Sequence, residues 1–275
     1  MQLQRVDTTW HEIDRKQHKV IKDEDYDLLI TEPSIIYCDN APVAYYLPEG
    51  SYESKLNGES LRNALSGLNF PYAKKGRTSG ISTQSHTFGW MPRRVIRHDF
   101  CHISAMAETK PILHKMLVDY GKEASALYEE YVPAVWKQHK ETMENQIRKD
   151  FWISGLYTSG IVNKDLTLGG HVDGGNVRKT WNTQMTLKKD IEGGYLVLPE
   201  LRIALEVADL SMTIFEAQNI WHGVTPIHKT SVDSSRYSIV WYSMRDLAKC
   251  FDFQDELERI QKLKTQREWK RAGIS

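Results

Sequence analysis

The chain has 275 residues, 40% of them hydrophobic and 26% charged, which is enough for one sizeable core. Lys plus Arg equals Asp plus Glu at 36 each, so the net charge is zero. That balance excludes a protein that simply coats nucleic acid and confines any such contact to local patches. The three cysteines, Cys38, Cys101 and Cys250, are odd in number and lie far apart. They speak against a disulfide scaffold or zinc finger and for a reducing compartment.

The N-terminus has no apolar core of signal-peptide type, and no apolar run is long enough to span a membrane, so a cytoplasmic chain is expected. Asp27–Thr31, Ser34–Tyr37 and Val43–Leu47 read as short strands, with Asp39-Asn40 as a hairpin turn. The segment 74–85 is basic and rich in Gly and Ser and reads as a loop, a candidate lid ordered by substrate. Residues 102–148 carry apolar stripes at helical spacing, with Pro111 suited to a first turn and Gly121 expected to separate two helices.

From about residue 151 the period changes to two, with Gly-rich turns. Candidate strands are Trp152–Tyr157, Leu168–Val172, Asn182–Leu187, Tyr195–Leu198, Arg202–Val207, Met212–Phe215 and Tyr237–Tyr242. This many short strands preceded by helices predicts a mainly β fold with α, a double-sheet jelly roll buttressed by helices. A single domain over 1–275 is expected. Its parts are N-terminal strands and a basic loop (1–100), a helical buttress (101–150), a catalytic core (151–250) and a charged C-terminal helix (251–275).

The chemistry concentrates in His171-Val-Asp173. On a strand, residues i and i+2 share a face, so an imidazole and a carboxylate would project side by side. His222, in Trp221-His-Gly223, would complete two histidines and one carboxylate, the facial triad of non-haem iron(II) oxygenases. His-x-Asp alone is common by accident, and ten histidines make a second His cheap. Arg236-Tyr-Ser238 adds weight, because a guanidinium fork and a hydroxyl on one strand face suit the distal carboxylate of a cosubstrate. A hydroxylase of a small molecule or amino acid would use the same residues. A jelly-roll binding protein with a degenerate metal site would lack part of the set. A zinc hydrolase of the HExxH type is disfavoured, since that helix motif is missing.

The stretches 151–160, His171–Asn176, Gly193–Pro199, Trp221–Gly223 and Arg236–Tyr242 resemble the TET/JBP family, dioxygenases that oxidise the 5-methyl group of pyrimidines in DNA. The likeness covers roughly 150–245, extends more loosely to Thr87–Arg94, and is nearer the small phage and microbial members than the large animal enzymes. It implies a double-stranded β-helix that uses Fe(II), 2-oxoglutarate and dioxygen. His171, Asp173 and His222 match the iron ligands, and Arg236 with Ser238 the grip on 2-oxoglutarate. Asn176 and Tyr242 fall where the family places a polar contact and a stacking ring on the target base. Met244 departs from the pattern, because animal members carry a cytosine-reading histidine there. That leaves 5-methylcytosine and thymine both open as targets.

The implied partner is DNA with its base rotated out of the duplex, which costs a few kcal/mol. No membrane and no obligate protein partner is called for. Phosphate contacts would come from Arg77, Arg94 and neighbouring Lys74, Lys75, Arg93 and Arg97, from Arg178-Lys179, or from the tail residues Lys262, Lys264, Arg267, Lys270 and Arg271.

Overall fold

The computed structural model describes residues 3–53, 57–70, 85–93 and 101–273. Strands β1 (Gln4–Thr8), β2 (Leu28–Ile30), β3 (Ser34–Cys38) and β4 (Ala41–Leu47) open the chain. Asp39 and Asn40, both at positive φ, turn β3 into β4 as their short polar side chains allow. Helix α1 (Gly58–Ser66) starts at Asn57, whose side chain accepts the Ser60 N–H. Strands β5 (Ser85–Met91) and β6 (His102–Ile103) then lead into α2 (Ala105–Thr109), α3 (Pro111–Tyr131) and α4 (Pro133–Gln146).

The remaining strands are β7 (Ser159–Lys164), β8 (Asn182–Lys189), β9 (Ile191–Gly193), β10 (Leu196–Leu198), β11 (Ile203–Leu205), β12 (Ser211–Phe215), β13 (Gly223–Val224), β14 (Ile227–Lys229) and β15 (Ser235–Tyr242). Helix α5 (Phe253–Arg271) follows, capped by Asp252. Among the described residues no helix is long and apolar enough to cross a membrane.

Nine strands form one sheet in the order β1-β3-β4-β12-β8-β15-β7-β5-β6. Four form a second, β13-β10-β11-β2, and β14 pairs with β9. Between the two main sheets lies a core that includes Ile36 and Tyr46 from one and Leu196, Leu198 and Ile203 from the other. On the outer face of the large sheet, Leu117, Tyr120 and Tyr128 of α3 pack on Met185, Tyr237, Ile239 and Trp241. Each such side chain contributes about 1.5–3 kcal/mol when fully buried. The result is the expected double-stranded β-helix with a helical buttress, and the N-terminal strands are woven into both sheets.

Several expectations are corrected. Residues 152–157 form a turn with a single bridge, Ser154 to Tyr157, and the strand begins at Ser159. Residues 168–172 are not a strand either, since only His171 bridges, to His222. Gly121 does not separate two helices but lies inside α3, and the break falls at Val132-Pro133, where proline cannot continue the ladder. Gly121 is a contact residue: a Cβ there would stand 2.5 Å from Trp241 Nε1 and 2.6 Å from Ser154 Oγ. Cys101 and Cys250 are joined in a disulfide across 149 residues, and only Cys38 is free among the described residues. So distant a pair leaves no local spacing to read. Beside the bridge, buried Glu256 of α5 accepts the backbone N–H groups of Cys101 and Phe251 and pairs with Arg93 at 2.5 Å.

Candidate active site

The inner face of the large sheet is polar where its outer face is apolar. Along β8, Asn182, Gln184, Thr186 and Lys188 alternate with Thr183, Met185 and Leu187. Along β15, Ser238, Val240 and Tyr242 line a cavity while Tyr237, Ile239 and Trp241 face the helices. The cavity, about 270 Å³, opens between the two sheets, with Leu196, Gly223 and Val224 contributing its other wall. One row across the strands is a polar ladder. Ser85 donates to Asn163 Oδ1 at 2.7 Å, Asn163 Nδ2 donates to Ser238 Oγ at 3.3 Å, and Thr186 stands opposite Ser238.

At one end of this cavity His171, Asp173 and His222 converge, with one donor atom from each lying within 4.8 Å of the others, a set that could hold a metal ion. The strand rule did not bring them together. His171 and His222 exchange both backbone hydrogen bonds, each at 2.9 Å, which sets their rings 4.3 Å apart. Asp173 is placed by its own N–H, which donates to Ala217 O at 2.9 Å. The Nδ1 atoms of His171 and His222 each lie 2.9 Å from a carbonyl, of Gly169 and Ile220. A carbonyl can only accept, so both Nδ1 atoms carry the proton and both Nε2 lone pairs are left for a cation.

Electrostatics agree with that division. Burial, then the neighbouring His171, push the His222 imidazole down to about 4, so it is neutral near pH 7. Burial alone would raise the Asp173 carboxyl. The contact with His171, the neighbouring His222 ring and the amide of Asn182 together outweigh it and hold the group below its usual range. The neutral imidazole of His222, the imidazole of His171 and one carboxylate suit a divalent cation.

Arg236 lies on the inner face two residues before Ser238, just beyond the cavity lining and 1% exposed. Its Nε and Nη2 find no partner among the described residues. Burial lowers this guanidinium to about 10, against the pull of Asp165. A buried cation with idle donors leaves room for an anion. Gly194, at φ +69, approaches it so closely that a Cβ would stand 3.1 Å from Arg236 Cδ and Nε. Gly194 therefore serves the packing around Arg236 as well as the turn. Lys188, directly opposite Arg236 on β8, adds a second positive charge and is itself lowered by burial and by Arg236.

Asn176 and Tyr242 both line the cavity, and Asn176 bridges to Met244, which lines it too. Arg77 and Arg94 lie outside the described residues, as does almost all of the 74–85 loop. Asn182, Asn163 and Lys188 escaped the sequence reading. Polar residues at alternate positions of a buried strand were the available signal.

The family model described as the oxygenase domain of the 2OGFeDO superfamily, Tet_JBP, matches residues 100–245, more than half of the chain. No curated protein matches it. Among solved structures the chain is similar to NgTET1 in complex with 5mC DNA, with 15% identity over 94% of this chain and 90% of that one and a TM-score of 0.63, which shows the fold. Weaker similarities link it to a 2OG-Fe(II) oxygenase family oxidoreductase from Burkholderia pseudomallei, at 12% identity, 74% and 85% coverage and a TM-score of 0.45. They also link it to the viral collagen prolyl hydroxylase vCPH from Paramecium Bursaria Chlorella virus-1, at 14% identity, 72% and 94% coverage and a TM-score of 0.35. The family match over the segment that carries the site decides the matter: the chain belongs to the Tet_JBP family and is an Fe(II)- and 2-oxoglutarate-dependent dioxygenase.

Proposed function

We propose that this enzyme oxidises the 5-methyl group of a pyrimidine base in DNA, with 5-methylcytosine to 5-hydroxymethylcytosine as the leading reaction and thymine to 5-hydroxymethyluracil as the second. The observation that carries the reading is the cavity itself. Its lining includes Asn176, Tyr242 and Met244 together with His171, Asp173 and His222, all within the segment matched by the Tet_JBP model, which supports this reading. The relative of like fold holds 5mC DNA in its structure.

In this reading His171 Nε2, His222 Nε2 and one Asp173 oxygen hold iron. Arg236, with Ser238 beside it, receives the distal carboxylate of 2-oxoglutarate. The metal, with 2-oxoglutarate and dioxygen, would supply the oxidising power to hydroxylate the methyl group. The protein supplies the rest. A cavity of about 270 Å³ takes one ring and a small cosubstrate but no duplex, so the base must leave the helix. Tyr242 offers a face to stack on it, worth about 1–3 kcal/mol. Asn176 offers an acceptor and a donor to its edge. Leu166, Leu168 and Phe215 line the remaining wall and keep water from the reacting end.

Mass spectrometry of nucleosides tests the proposal. Oligonucleotides containing 5-methylcytosine or thymine are incubated with enzyme, Fe(II), ascorbate and 2-oxoglutarate. The expected result is a hydroxymethylated base that disappears in His171→Ala. Turnover of 2-oxoglutarate without any modified base would instead favour a small-molecule substrate.

A further inference from the structure

Each of the three clustered groups is held from behind, but not in the same way. His171 and His222 rest on backbone carbonyls. Asp173 rests on a side chain: Asn182 Nδ2 donates to its Oδ2 at 2.6 Å, while its other oxygen, Oδ1, lies 3.5 Å from His171 Nε2. The carboxylate is thereby divided, one oxygen turned to the cluster and one occupied. Asn182 is 1% exposed, so no solvent can replace that bond. Its own Oδ1 accepts from Asn176 Nδ2 at 2.8 Å, and Asn176 lines the cavity. The amide of Asn182 has only one orientation that serves both neighbours. Flipped, it would set oxygen against carboxylate and N–H against N–H. The backbone of Asn182 is fixed within β8, paired to Phe215 of β12.

We propose that Asn182 is a positioning residue that keeps Asp173 a one-oxygen ligand and ties it, through Asn176, to the substrate end of the cavity, a role that rests on the function proposed above. A ligand held by one oxygen leaves more of the coordination sphere for the cosubstrate and dioxygen. Hydrogen bonds to a ligating carboxylate fix its direction, and losing such a partner typically costs 10–100-fold in metal affinity or activity. The relay also spends one N–H of Asn176. A base that engages the remaining groups of Asn176 and turns its amide therefore pulls on Asn182, and through it on Asp173.

The test uses the full chain, with Co(II) as the metal probe and no nucleic acid in the first stage. Asn182→Ala, and Asn182→Asp, which sets a second carboxylate against Asp173, are each titrated with Co(II). The expected result is a 10–100-fold loss of affinity and an altered visible spectrum, with the KM for 2-oxoglutarate within threefold of wild type. The second stage measures succinate formed per hydroxylated base. Asn176→Ala is expected to bind Co(II) as wild type does but to release more succinate per product. Folded Asn182 variants with wild-type Co(II) affinity and spectrum would overturn the proposal. Where neither Asn182 variant folds, an unchanged succinate-to-product ratio in Asn176→Ala would overturn it. If wild type modifies no DNA, the function proposed above fails, and the Co(II) comparison, which needs no DNA, still decides Asn182.

Discussion

His171 and His222 form a doubly hydrogen-bonded backbone pair, N–H to carbonyl in both directions at 2.9 Å, at an isolated bridge just before β13. This single bridge, rather than a continuous strand, brings the imidazoles together. It makes their geometry depend on the loops at 166–177 and 216–222. It also explains why Gly223 follows His222, since a Cβ there would stand 2.5 Å from Ile21 Cγ1 and 2.7 Å from Leu168 O.

Arg236 is buried with idle donors, so its removal separates binding from stability. Arg236→Met is expected to raise the KM for 2-oxoglutarate by about 30-fold or more, since losing a buried charge partner costs about 2–5 kcal/mol. The cosubstrate-free protein should melt no lower than wild type, because an unpaired buried cation is itself unfavourable. Thermal unfolding with and without 2-oxoglutarate checks both halves. A large loss of Tm without cosubstrate would mean that Arg236 serves the fold.

Two histidines make the metal-free protein acid-sensitive. His222 is held down to about 4 and His139 to about 3, both chiefly by burial, against an ordinary value of 6.5. The unfolded chain therefore takes up these protons first. Stability is complete above pH 6.5 and falls as the pH drops toward 4, by about 1.4 kcal/mol per pH unit for each group. Urea unfolding at pH 7, 6 and 5 should show the decline. His139→Gln, which removes one of the two, should flatten it by about half. His139 is not in the cavity; its Nε2 lies 3.0 Å from Ser243 Oγ, which in turn donates to Leu156 O.

Gly121→Ala is expected to destabilise, although Gly to Ala within a helix normally stabilises by about 1 kcal/mol. The added methyl meets Trp241 and Ser154 and threatens the bonds Trp241 Nε1 to Leu117 O, at 2.9 Å, and Ser154 Oγ to Val118 O, at 2.8 Å. Overpacking of this kind costs about 1–3 kcal/mol. A higher Tm in the variant would contradict the close approach of α3 to β15.

Reduction of the Cys101–Cys250 bridge should lower stability by about 2–5 kcal/mol, because it releases a 149-residue loop in the unfolded chain. The Cys101→Ser, Cys250→Ser double variant should melt like the reduced wild type and be indifferent to dithiothreitol. Equal melting of oxidised and reduced wild type would show that the bridge does not form in solution.

The sequence made the inner strands legible because β8 and β15 are buried on both faces and end in clear turns. It made His171, Asp173 and His222 legible through motif chemistry, although the local reason given was wrong. No strand runs through 168–172, so the i, i+2 argument does not describe how His171 and Asp173 come to lie together. Gly121 was misread because a glycine needed for side-chain contact looks like a helix breaker until its neighbours, Trp241 and Ser154, are known. Asn182 was missed because its partners, Asp173 and Asn176, are met across a loop and not at any fixed spacing. The cysteine bridge was invisible for the same reason: its meaning lies in a contact between distant segments.

Anaerobic Fe(II) titration of the metal-free 275-residue chain, followed by iron analysis of the desalted protein, probes the clustered His171, Asp173 and His222 most directly. One equivalent of iron should be retained by wild type, and almost none by His222→Ala or Asp173→Ala proteins that unfold cooperatively. Iron retained at wild-type level by both variants would place the metal elsewhere and remove the basis for the proposed chemistry.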